Sequence, residues 1–272
     1  MANKHFQGGE LRRLYVGIIL IACVILGLIA AKIFSASNAT PRGPTIGLMT
    51  SLPLRWQESV RGKTFDLEAE PSPAFQRLQA KQGIRLLDNL ENISGLKILV
   101  LAQPRALSPA EHVALDQWVR DGGRALILAD PALTWESSYP LGDRRRPLFT
   151  SLLSPVFNHW GLQLELNMEA EGRDIVSGIN GLKIRTQTIG IWSRMNAQAG
   201  QPACKITDGN VRADCRIGNG RAIMLADADL LLHENWQGTG LRRLFMQDNF
   251  DNMALMQQLI DMLQPAAKAR DS

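Results

Sequence analysis

Paired reactive residues are what this chain lacks. Its 272 residues hold three cysteines and four histidines. No Cys-x-x-Cys or His-x-x-x-His pair offers a transition-metal site, and no Gly-x-Ser-x-Gly elbow marks a serine hydrolase. His5, His112, His159 and His233 are scattered and read as surface or packing residues. No internal repeat, dividing low-complexity stretch or second bilayer-length apolar run is present. Excess charge is missing as well, once it is located. Of thirty Lys and Arg and twenty-six Asp and Glu, five bases (Lys4, Arg12, Arg13, Lys32, Arg42) and one acid (Glu10) fall in the first 43 residues. The remainder is neutral, which excludes the electrostatic footprint of a nucleic-acid binder. Arg144, Arg145 and Arg146 form the one dense basic run and read as a solvated loop.

What is present begins with eighteen consecutive uncharged residues, Leu14 to Ala31. As a helix they would span ~27 Å, close to the ~30 Å hydrocarbon core. More basic residues precede the run than closely follow it, so the positive-inside bias keeps the N-terminus in the cytoplasm. The expected organisation is a cytoplasmic segment (1–13), a transmembrane anchor (14–33), a linker (34–44), an extracytoplasmic domain (45–264) and a polar tail (265–272). This places a single-pass protein in a bacterial inner membrane with its main domain in the periplasm. A cleaved signal peptide is the competing reading, since Ser35-Ala36-Ser37 and Ser37-Asn38-Ala39 are small enough for a peptidase. The run exceeds the usual ~7–15 residues of a signal peptide, which favours the anchor.

Outside the apolar run the cysteines are Cys204 and Cys215. Between them, Gly209-Asn210 has the composition of a tight hairpin turn, here expected as type II′, which would bring the two across from one another at a hydrogen-bonded site, with a bulge or three-residue loop as the alternative. A disulfide is expected in an oxidising compartment, closing a loop of about twelve residues for roughly 3 kcal/mol.

The core reads as α/β. Thr45–Met49 is a short apolar strand, Pro73–Gln82 a helix, Ile84–Leu87 a second strand and Leu96–Ala102 a third. Ser108, Pro109 and Glu111 then form an N-cap, a first-turn proline and a capping box. The helix they start has Ala114, Leu115, Trp118 and Val119 inward, and Gly122-Gly123 ends it. Arg124–Ala129 follows as an almost wholly apolar strand, completing a right-handed βαβ unit. Beyond a long loop come an expected helix (150–160), an alternating strand (162–166), a β-rich insertion or edge (170–220), a buried strand (221–226) and a closing helix (251–263).

The segment SPAEHVALDQWVRDGGRALILADP (108–131), with GNGRAIMLADADLLLHENW (218–236), DNFDNMALMQQLIDML (248–263) and the opening Gly47-Leu48-Met49-Thr50, resembles the gliding-motility and ABC-transporter auxiliary proteins. The resemblance implies a flavodoxin-like, mostly parallel sheet related in architecture to class I glutamine amidotransferases, serving an ABC export system without known catalysis of its own. An amidotransferase needs a cysteine nucleophile on a strand-to-helix turn, and none of the three cysteines is so placed.

Polar residues remain at the carboxyl ends of the expected parallel strands: Thr50 and Ser51, Asp130, and Asp227 with Asp229. Open α/β sheets bind ligands there. Asp227-x-Asp229 has the oxygen donors for a divalent cation, whereas aspartates after strands also cap helices and stabilise turns. The sequence therefore assigns no catalytic residue, no metal and no cofactor. It describes a membrane-anchored, non-enzymatic accessory of an ABC-type export or envelope system, partnered by a permease and ATPase or other envelope proteins. The alternatives are a periplasmic hydrolase or metal-dependent enzyme using the strand-end aspartates, and a small-ligand-binding module.

Overall fold

The computed structural model describes residues 15–19, 21, 23–25, 27, 43–58, 70–169, 175–196, 200–236 and 250–264. The chain divides into two units, Met1–Pro41 and Arg42–Ser272. In the first, the described residues of the apolar run are helical, and Tyr15, Ile18, Ile21 and Val24 stand exposed. Among the described residues no helix is long and apolar enough to cross a membrane. The segment 1–13, part of the run itself, nearly all of the linker and the polar tail lie outside the described residues.

In the second unit, strands β1 (Gly43–Thr50), β2 (Gln82–Leu86), β3 (Ile98–Ala102), β4 (Arg124–Leu128) and β11 (Gly220–Leu225) form the parallel part of a seven-stranded sheet. Strands β10 (Arg212–Ile217) and β9 (Ala203–Thr207) extend it antiparallel, giving the order β2-β1-β3-β4-β11-β10-β9. Outside it, β5 (Leu162–Leu166) pairs with β8 (Gly190–Arg194), and β6 (Ile175–Ile179) with β7 (Leu182–Thr186). The β-rich region is thus split between an edge of the main sheet and two small sheets.

The central parallel strands are largely apolar on both faces because both are covered, whereas the edge strand β2 is half exposed. Ile46, Leu48, Val100, Leu126 and Ile223 pack with α1 (Pro73–Lys81) and α4 (Asn252–Leu263). Leu99, Leu101, Ala125, Ile127 and Met224 face the other way, toward α2 (Pro109–Arg120) and α3 (Ser154–His159). Helix α2 starts at the expected capping box, with Ser108 accepting from Glu111 N and Glu111 accepting from Ser108 N. It buries Leu115, Trp118 and Val119, leaving Ala114 half-buried. Helix α3 is shorter than the expected 150–160, because Pro155 is tolerated only in a helix's first turn.

At the sheet edge, Cys204 lies opposite Cys215 and is bonded to it. The turn differs from the expected type II′. Gly209 and Asn210 both have positive φ, 64° and 69°, as the two central residues of a type I′ turn do, and Asp208 before them is left-handed as well, at 55°. Register is the same for either turn because both hold two central residues.

Candidate functional site

Strands β4 and β11 are neighbours running in the same direction, so the segments leaving their carboxyl ends meet. Asp130 follows β4, and Asp227 and Asp229 follow β11. All three are fully buried, and one carboxylate oxygen from each lies within 4.8 Å of the others. The donors facing them are neutral. Asp130 accepts from Ala132 N (2.8 Å) and Ala228 N (3.3 Å). Asp227 accepts from Thr186 Oγ1 (3.0 Å) and Leu230 N (3.2 Å). Asp229 accepts from Thr134 Oγ1 (2.8 Å), Thr134 N (3.4 Å) and Thr188 Oγ1 (3.0 Å).

Thr188 is oversubscribed. Its hydroxyl has one proton yet stands 3.0 Å from Asp229, 2.9 Å from Ala132 O and 3.4 Å from Asp130. Two carboxylate oxygens, Asp227 Oδ2 and Asp229 Oδ1, are buried with no partner. Among the described residues no Lys or Arg forms an ion pair with any of the three. Desolvation dominates the electrostatics and raises every carboxyl above its ordinary range. Repulsion from Asp229 adds to burial at Asp130, which is pushed up to about 7. Repulsion from Asp130 and Asp229 adds to it at Asp227, while the threonine bonds partly offset burial at Asp229.

Thr50 and Ser51 do not join this cluster. Thr50 Oγ1 accepts from Leu52 N (3.0 Å), closing a local turn, and Ser51 Oγ donates to Gln103 O (2.6 Å). Gln103 is the link that sequence reasoning missed. Held at φ 43° just past β3, it is fully buried, accepts from Asp130 N (2.9 Å) and donates to the Asp130 and Leu148 carbonyls. Thr50 and Ser51 instead line a separate cavity of about 210 Å³ with Arg55, Trp56, Arg144 and Arg145. Arg145 also clamps Asp143 and lies 4.1 Å over the Tyr139 ring. Arg146 donates to the Ser137 and Tyr139 carbonyls. Much of the basic run therefore braces its own loop. Thr134, Thr186 and Thr188 carried no signal in the sequence, because threonine is ordinary in strands and loops.

Chemically, the cluster is a closed set of oxygen donors. Such a set holds protons or a hard cation. Residues 43–186, over half of the chain, match the ABC_transp_aux family, described as an ABC-type uncharacterized transport system. The chain belongs to this family. The span matched to the auxiliary family contains Asp130, Thr134 and Thr186 and stops before Asp227 and Asp229. No curated protein matches the chain.

Solved structures similar to this auxiliary-family chain are more distant. An exo-β-1,4-mannosidase, Op5Man5 from Opitutaceae bacterium strain TAV5, aligns at TM-score 0.45 and 10% identity over 85% of this chain and 38% of its own. The N-terminal domain of mmIFT52 aligns at TM-score 0.46 and 14% identity, over 83% and 99%. A GH42 β-galactosidase from G. stearothermophilus aligns at TM-score 0.43 and 12% identity, over 82% and 30%. The chain thus spans well under half the length of the mannosidase.

Proposed function

We propose that this protein is a membrane-anchored, non-enzymatic accessory of an ABC-type transport system, acting by binding other envelope proteins. Family membership supports the transport role. The observation that carries the non-enzymatic reading is the complete burial of Asp130, Asp227 and Asp229. They are the carboxylates at the ends of the central strands where an α/β enzyme would work, and no substrate reaches them without opening the fold. The five parallel strands, in the order β2-β1-β3-β4-β11, support a flavodoxin-like architecture. The exposed apolar side chains of the first unit support an anchor whose partner is lipid, and the basic residues Lys4, Arg12 and Arg13 before the run support a main domain on the periplasmic side.

A binding role needs surface. The long connection between β4 and α3 leaves Leu141 at 84% and Phe149 at 64% exposure, which makes these two side chains the ones to test for a partner contact. Affinity purification of the full chain from detergent-solubilised membranes should bring down an ABC permease and its ATPase, identified by mass spectrometry. Phe149→Asp should weaken that recovery at unchanged melting temperature. Turnover by the purified chain that vanishes in Asp227→Asn, at unchanged melting temperature, would overturn the reading.

A further inference from the structure

We propose that Asp130, Asp227 and Asp229 bind one divalent cation of the calcium type, locked between the carboxyl ends of β4 and β11 as a structural ion. Proximity of three acids does not by itself make a metal site. Two of their oxygens, Asp227 Oδ2 and Asp229 Oδ1, are buried with nothing to accept from, and a buried charged acceptor without a partner costs more than an ordinary missing hydrogen bond. The hydroxyl of Thr188 is surrounded by three acceptors and satisfies one. With the three carboxyls ionised, the site holds more acceptor capacity than the protein has donors, which is the composition of a cation cage.

The donor set selects the class of ion. Three carboxylates are joined by the Thr186 and Thr188 hydroxyls and the Ala132 carbonyl, with no imidazole or thiolate among them, which suits a hard cation and not zinc. Size narrows it further. At calcium–oxygen distances of about 2.3–2.6 Å, oxygens on opposite sides of the ion stand about 4.6–5.2 Å apart, and adjacent ones are closer. The three oxygens lie within 4.8 Å of one another, inside those spans. Magnesium, at about 2.0–2.1 Å, demands near-ideal octahedral geometry and keeps several waters, and fully buried residues leave little room for them. Three negative charges around a divalent ion leave one in excess. The amides of Ala132, Thr134, Ala228 and Leu230, all donating into the cluster, offset it.

Such an ion would tie the 130–134 segment to 186–188 and 227–230, three stretches far apart in the chain. This inference is independent of the transport role. The test uses the full chain in detergent, with metal content measured by mass spectrometry before and after long dialysis against EDTA. About one calcium per chain is expected before dialysis. Adding 1 mM CaCl2 to the dialysed chain should raise its melting temperature by several degrees, and MgCl2 should do less. Asp229→Asn and Asp227→Asn should weaken calcium binding at least tenfold with unchanged circular dichroism, and Thr188→Val should weaken it less. If the asparagine variants fail to fold, the metal content and calcium response of the wild type decide the matter. A wild-type chain that holds no divalent ion, and whose melting temperature neither salt moves, overturns the proposal.

Discussion

Glu111 shows how one carboxylate can serve helix start, ion pair and loop at once. Its oxygens accept from Ser108 N (2.8 Å), Leu90 N (3.2 Å) and both terminal nitrogens of Arg105 (3.0 and 2.7 Å). The Arg105 guanidinium holds the buried carboxyl at about 2, against about 4.3 in an unfolded chain. A depressed carboxyl stabilises the fold above its unfolded value, and that contribution disappears as pH falls from about 4.3 toward 2. Glu111→Gln keeps a capping side chain but loses the ion pair. Arg105 is partly exposed, so solvent screens some of that interaction. The substitution should cost about 1–3 kcal/mol at pH 7 and much less at pH 2.5, measured by denaturant unfolding at both. Equal costs at the two pH values would show that the charge is not what matters.

At the scale of elements, the join between β10 and β11 decides how closely the sheet approaches α2. Asn219 N donates to Arg120 O at the helix end. Gly218 has φ +56°, and a Cβ at Gly220 would sit 2.0 Å from Val119 O and 2.3 Å from Gly123 O. Both obstructing atoms are backbone, so neither can swing aside. Gly220→Ala should therefore push β11 from the end of α2 and cost about 3 kcal/mol, read as a fall in the urea midpoint. Ala222→Gly, one strand position further along that face, removes one buried methyl group and should cost less. If Gly220→Ala has no larger effect than that control, the close approach is not required.

At the scale of the whole molecule, the proposed anchor predicts on which side of a membrane the second unit would lie. The run Leu14–Ala31 is uncharged, with Lys4, Arg12 and Arg13 before it, and its described residues are helical with exposed apolar side chains. A C-terminal alkaline phosphatase fusion to the full chain should be active, and the matching cytoplasmic reporter silent. The reverse pattern would overturn the topology. The Cys204–Cys215 bond fits a periplasmic placement, since such bonds persist in oxidising compartments.

Much of the architecture was legible from local signals. Strands β3, β4 and β11 announce themselves as unbroken apolar runs, because a strand covered on both faces has no polar side to show. Ser108, Pro109 and Glu111 mark the start of α2 because capping is satisfied within four residues. The two residues at the centre of the cysteine turn determine its register whatever the turn type. Other features depend on distance in the chain and were decided only in three dimensions. Asp130 lies about a hundred residues before Asp227, and they meet because β4 and β11 are hydrogen-bonded neighbours. Thr186 and Thr188 reach the carboxylates from the end of β7, a strand outside the main sheet. Gln103 joins the ends of β3 and β4 through a backbone conformation that few non-glycine residues adopt. No spacing rule links these residues, because their proximity comes from strand order. Sequence alone determined β4 and β11, the strands whose ends carry the aspartates, whereas tertiary structure decided that the three would share one closed space.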